Sequence, residues 1–215
     1  VIAGLLLVLT TQLFRIDTVS AAPTAASTAA ACKRPAHGFV PDRAMLPSLG
    51  RTVNVVQVQR TSSGAVGAPP LSTTGKWMLA MDPQTLPASR KGSVLLSGHT
   101  WPDGSALGNA MLANLHTGDG FVLAHGTGMQ ACYRIAERAS YPADQVPNQK
   151  AFRYWGSEQV VIVACSGKRL GPGNWTRRTI WYAVPTLSNT VKPPTPPPPT
   201  QAPPPNLLGA LLGIL

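Results

Sequence analysis

Seven stretches of the chain are rich in β-branched and aromatic residues: 53–60 (VNVVQVQR), 77–81 (WMLAM), 93–99 (SVLLSGH), 120–125 (GFVLAH), 131–140 (ACYRIAERAS), 159–165 (QVVIVAC) and 178–184 (RTIWYAV). Clusters of Gly, Pro, Ser or Asn bound each one, the punctuation that separates strands. Residues 131–140 alternate partly between apolar and polar, as a strand with one wet face does. Residues 159–165 are continuously apolar, as a strand buried on both faces would be. Only 106–116 (ALGNAMLANLH) reads as helix, with Leu107, Met111, Leu112 and Leu115 spaced along one side. Many short strands with one or two short helices predict a mainly β domain over 40–190, a closed or nearly closed barrel of seven to eight strands.

The two ends do not share this pattern. Residues 1–19 begin with the apolar run VIAGLLLVLTTQLF, short for a bilayer span but suited to an export signal or signal anchor. Val19-Ser20-Ala21 before Ala22 has the small-residue pattern of a cleavage site. The run is read as an anchor; cleavage would make the protein secreted. Residues 20–39, opening with SAAPTAASTAAA, form a low-complexity spacer. Residues 191–215 are a tail: KPPTPPPPTQAPPP can form neither helix interior nor central strand and predicts an extended polyproline spacer, and its short apolar end has no assigned role.

Charge adds a direction. Lys and Arg number 18 against 8 Asp and Glu, a net +10 carried entirely between residues 32 and 192. Such a surplus points to an anionic surface nearby, and its sign alone does not choose among nucleic acid, lipid and a polyanionic wall. The low share of charged residues, 12%, excludes a coiled coil or a polyelectrolyte disordered chain.

Three cysteines in an exported chain suggest one pair and one free thiol. Cys165 closes its apolar run and precedes Ser166-Gly167-Lys168-Arg169, read as a basic turn where a thiolate can be exposed and stabilised. Cys32 and Cys132 are then the disulfide candidates, although the pairing is not readable from sequence. Of four histidines, His99 ends an apolar strand; His116 and His125 flank a turn and are expected to face solvent, and His37 lies near the spacer. A Cys/His enzyme needs its base within reach of the sulfur and a donor for the oxyanion. Arg177 and Arg178 open the next strand. Papain-like order is excluded because His precedes Cys, and the seven-residue gap between His125 and Cys132 is not the caspase spacing. No CxxC or HxxxH suggests zinc, so neither metal nor cofactor is expected.

Ser97-Gly98-His99-Thr100, Val161-Ile162-Val163-Ala164-Cys165 and Trp175-Thr176-Arg177-Arg178-Thr179-Ile180 together resemble a sortase, a cysteine transpeptidase of Gram-positive cell surfaces. The His–Cys–Arg order matches, with gaps of 66 and 13 residues, and Gly108 through Gly118-Asp119 resembles the segment after the histidine. The pattern is similar to actinobacterial class E and F members. The resemblance implies a sortase-like barrel with His99, Cys165 and Arg178 catalytic. Cys165 would attack the Thr–Gly carbonyl of an LPxTG-like sorting signal of surface proteins. His99 would protonate the leaving amine and then activate the acceptor, an amine of a peptidoglycan precursor or a pilin, while Arg178 would donate hydrogen bonds to the oxyanion or to the substrate backbone. Ala164 and Thr100 are expected beside the substrate; Ala164 stands where the family usually has Thr, which puts substrate preference in question. The acidic cluster of calcium-dependent members is not evident. A monomer on the extracellular face of the membrane, with no nucleic-acid partner, is implied. Two other readings stay open: a non-catalytic, basic, membrane-tethered wall-binding β-domain, and a hydrolase of the same fold.

Overall fold

A computed structural model of the chain describes residues 32–62, 64–126 and 128–187. Its strands are β1 (Arg43–Leu46), β2 (Arg51–Gln57), β3 (Leu79–Met81), β4 (Ser93–Gly98), β5 (Gly120–His125), β6 (Met129–Pro142), β7 (Gln159–Gly171) and β8 (Asn174–Thr186). Helix α1 (Leu107–Asn114) lies between β4 and β5, and α2 (Asn148–Ala151) between β6 and β7. The strands close into a barrel in the order β1-β2-β3-β4-β7-β8-β6-β5, with β5 pairing back onto β1. Neighbours are antiparallel except β2 with β3 and β4 with β7. The mainly β closed barrel is the fold class that the hydrophobic pattern predicts; it has eight strands where the pattern marks seven, and α2 in addition to the one helix it marks.

Period-2 alternation explains the apolar continuity of β7. Val160, Ile162 and Ala164 point into the barrel, where they join a core that includes Leu46, Leu79, Met81, Phe121, Tyr133 and Trp181. Val161 belongs to a second cluster on the outer side with Leu95, Ile180 and Tyr182, capped by Ala151 and Phe152 from the β6–β7 connection. β7 is therefore covered on both faces. Trp181 Nε1 donates to the carbonyl of Leu115 at 2.9 Å, which satisfies a buried donor and fixes the end of α1 to the wall.

Several boundaries differ from the expectation, each for a local reason. β1 was not among the seven expected runs; with only four residues it is too short for alternation to register, yet Ala44 and Leu46 are fully buried. Trp77 sits in a 3₁₀ turn, Gly75–Trp77, so β3 keeps only Leu79–Met81. β7 and β8 run on into a hairpin arm whose residues are mostly polar because that arm stands away from the core. Cys165 is consequently inside a strand, not at its end. Segment 166–169 belongs to the arm, with a bulge at Gly167, whose φ is +77° and where a Cβ would sit 2.5 Å from Thr176 Oγ1.

Cys32 and Cys132 are bonded to each other, with Cα atoms 6.0 Å apart, and pack with Val122 and Met45. Beside them Arg34 Nη2 donates to the buried Glu158 carboxylate at 2.6 Å. The expected anchor (1–19), the low-complexity start of the spacer (20–31) and the tail (191–215) lie outside the described residues.

Candidate active site

Two strand registers assemble the site. In the parallel β4–β7 pair, Gly98 is opposite Ala164, so the residues that follow, His99 and Cys165, emerge side by side. In the antiparallel β7–β8 pair, Cys165 is opposite Arg178. Gly98 and Ala164 face the core, where Gly98 packs against Met111 and Leu79; their successors therefore face outward. His99, Cys165 and Arg178 all line one cleft of about 740 Å³.

Each side chain is held differently. His99 Nε2 is 2.7 Å from the carbonyl of Pro69. A carbonyl only accepts, so Nε2 carries a proton and Nδ1 is the nitrogen left to exchange one. Arg178 Nη1 donates to the carbonyls of Trp175 (3.0 Å) and Arg177 (2.9 Å), which fixes the fork and leaves Nε and Nη2 as free donors. Burial pushes the Cys165 thiol above its ordinary value, and the Arg178 guanidinium pulls it back only in part. Burial therefore works against the exposed thiolate that a basic turn suggests. Lys168 and Arg169 are exposed along the arm.

Two residues expected beside the substrate are elsewhere. Ala164 is 1% exposed and belongs to the barrel core, because it alternates with Cys165. Thr100 is buried, and its hydroxyl donates to the carbonyl of Cys165 at 2.7 Å. Thr100 thus ties the histidine segment to the cysteine strand and positions both. Arg177, opposite Ser166, is exposed and donates to Ser140 Oγ (2.9 Å) and the Ser140 carbonyl (2.7 Å). His116 and His125 are exposed beside Asp119 and Asp42.

The cleft walls come from two loops with little periodic signal. One wall is the β2–β3 loop, through Gly64, Val66 and Gly67; Ser97 Oγ donates to the Gly67 carbonyl at 2.5 Å. The other is the β6–β7 connection, through Val146, Phe152 and Trp155. Arg60 also lines the cleft, and its Nε meets the buried Asp82 at 2.5 Å. Nothing local in the sequence marks Arg60; an arginine in a polar loop is ordinarily solvated.

No protein-family model matches the chain, and no curated protein matches it. Solved structures resemble it in shape. Sortase C1 of Streptococcus agalactiae in complex with MTSET is 12% identical, with 68% of this chain and 69% of that one covered at a TM-score of 0.49. Sortase C-1 from Actinomyces oris is 14% identical, covering 67% and 70% at 0.48. Listeria monocytogenes sortase A is 14% identical, covering 67% and 85% at 0.44.

Proposed function

We propose that the protein is a sortase-type cysteine transpeptidase that cleaves an LPxTG-like sorting signal and passes its acyl part to an amine. The observation that carries this reading is the double register, Gly98 with Ala164 and Cys165 with Arg178, which gathers a base, a sulfur and a fixed cationic fork on one cleft floor.

The thiol proton of Cys165 passes to His99, and the thiolate attacks the scissile carbonyl carbon. The tetrahedral oxyanion accepts hydrogen bonds from the free donors of Arg178. Collapse breaks the C–N bond, and the His99 imidazolium protonates the leaving amine, which leaves a thioester on Cys165. An incoming amine then loses its proton to His99 while forming the new amide, and the departing sulfur takes that proton back. One amide is exchanged for another and no redox partner is consumed. The apolar wall of Val66, Val146 and Phe152 suits an uncharged peptide segment. The acceptor would be an amine of a peptidoglycan precursor or a pilin. The Cys32–Cys132 bond suits an oxidising exterior, and the place of work is the outer membrane face.

A fluorogenic LPxTG or LAxTG peptide tests this with and without an amine acceptor. Wild type should cleave it and form the amide product, and both Cys165→Ala and prior alkylation should abolish turnover. Full turnover by Cys165→Ala would end the reading. Release of the free acid alone, with acceptor present, would make the protein a hydrolase of this fold.

A further inference from the structure

We propose that the carbonyl of Pro69 is the orienting member of the catalytic group, holding His99 as the carboxylate holds the histidine of a Ser-His-Asp triad, and that Ser97 is the positioning residue that keeps this carbonyl in place. The catalytic part rests on the transpeptidase reading above; the orientation of the ring does not.

Two side chains of the barrel wall meet two carbonyls of the β2–β3 loop. Ser97, in β4, and His99, just past its end, lie two residues apart and both line the cleft. On the loop, Gly67 and Pro69 are also two apart, and both are buried. Ser97 Oγ donates to the Gly67 carbonyl at 2.5 Å, and His99 Nε2 to the Pro69 carbonyl at 2.7 Å. Ala68 and Pro69 each precede a proline, which biases them to extended backbone. One carbonyl and the next but one are then about 6–7 Å apart, the interval from Ser97 to His99 on the wall. Pro69 and Pro70 have no N–H, so this step of the loop offers only acceptors and the barrel brings the donors.

The loop is held tightly in this pairing. A Cβ on Gly67 would stand 2.5 Å from Val58 Cγ1 and 2.6 Å from the Gln59 carbonyl, so the returning limb of the loop presses on the outgoing one. A Cβ on Gly75 would stand 2.0 Å from the Pro70 carbonyl, which closes in the other side. Among the described residues, the hydrogen bonds from 66–69 to the barrel are the two named. Without the Ser97 hydroxyl the buried Gly67 carbonyl loses its donor. His99 alone would then hold the segment that has to hold His99.

The consequence is a fixed tautomer, set from outside the strand pairs that bring sulfur, imidazole and guanidinium together. With Nε2–H committed to Pro69, Nδ1 is kept for the Cys165 proton. In the serine-protease triad, loss of the group that sets the tautomer costs about 10⁴ in kcat. Loss of Ser97 removes only the support of that group, so its effect is smaller.

Protein labelled with ¹⁵N-histidine reports the tautomer through two-bond ¹H–¹⁵N correlations at a pH where the ring is neutral. His99 is the ring whose signals are missing from His99→Gln. Wild type should show Nε2 protonated and Nδ1 bare. In Ser97→Ala a share of the other tautomer should appear, and kcat should fall at least about tenfold with KM within about threefold, the pattern of a misplaced reacting group. Ser97→Thr keeps a hydroxyl and should restore both. Ser72→Ala removes the acceptor of the Gly75 amide (2.9 Å) on the same loop and should change neither. Should Ser97→Ala not fold, Ser97→Cys, close in size and a weaker donor, carries the same comparison. A wild-type ring protonated at Nδ1 would overturn the orienting role of Pro69. Unchanged ring signals in the Ser97 variant, or an equal loss in Ser72→Ala, would overturn the role of Ser97. Altered ring signals with an unchanged kcat would overturn the catalytic part alone. If wild type cleaves no donor peptide, the transpeptidase reading falls, and the ring signals still decide what orients His99.

Discussion

Cys165 and Arg178 are direct partners across the β7–β8 pair, and Arg177 stands one step away opposite Ser166. Neighbouring residues of a strand face opposite ways, so only Arg178 shares the sulfur's side. Arg178→Ala should lower kcat/KM at least about 10²-fold, as loss of an oxyanion donor does, with the circular dichroism spectrum retained. Arg178→Lys should recover little, since an ammonium cannot reproduce the fork that holds two carbonyls and still donates. Arg177→Ala should change kcat/KM only a few-fold. The reverse ranking would remove Arg178 from the reaction.

The half-buried thiol has a signature in pH. Desolvation raises the Cys165 pKa and Arg178 lowers it, with burial the larger effect. Thiolate fraction therefore grows with pH beyond the value at which a free thiol is half ionised, about 8.5. Iodoacetamide alkylation of Cys165 should keep rising above that pH. In Arg178→Ala the midpoint should move higher still, because the lowering influence is gone. A midpoint at or below that of a free thiol, or a downward move in the variant, would contradict the assignment.

The three residues singled out by motif do meet at one cleft, and the reason they meet is only partly local. Alternation along β8 separates Arg178 from Arg177, and the same alternation along β7 sends Ala164 to the core when Cys165 faces out. That position was readable from the strand alone. The parallel pairing that sets His99 beside Cys165 joins segments 66 residues apart, and no local pattern fixes its register. β1 is four residues long, too few for periodicity. Arm residues 167–174 hide a hairpin because strand patterns detect burial, and this stretch is almost wholly exposed. Arg60 and Glu158 gain their importance from distant partners, Asp82 and Arg34, that sequence spacing does not connect.

The Cys32–Cys132 bond spans 100 residues and closes most of the barrel into one loop. In the chain-entropy model such a loop stabilises by up to about 4–5 kcal/mol. Cys132→Ala, or reduction of wild type with dithiothreitol, should lower the urea midpoint by a corresponding amount while peptide cleavage persists. Cys132 is buried away from the cleft, so its loss reaches stability and not the reacting atoms. Equal midpoints before and after reduction, with both thiols then alkylated, would show that the bond contributes nothing.

Gly108 offers a probe of His99 placement that leaves every reacting group in the chain. Its amide donates to the His99 carbonyl at 2.7 Å, so α1 lies directly on the histidine segment. A Cβ at Gly108 would press on that carbonyl and stand 2.5 Å from Thr100 Oγ1. The helix cannot retreat easily. Its far end receives Trp181 Nε1, and Asn109 at its start bonds both the amide (2.9 Å) and the carbonyl (3.1 Å) of Trp101. The displaced part is then residues 99–100, and Thr100 carries the link to the Cys165 carbonyl. Misplacement by about 1 Å can cost roughly 10² in rate. Gly108→Ala should therefore lower kcat by about that factor with a smaller change in KM, while Ala113→Ser, on an exposed turn of the same helix, leaves the rate as it is. The barrel's amide NMR shifts should move chiefly around 98–101 and 164–166. A Gly108→Ala protein with the wild-type rate would show that His99 tolerates the shift and that its seat beside α1 does not set the chemistry.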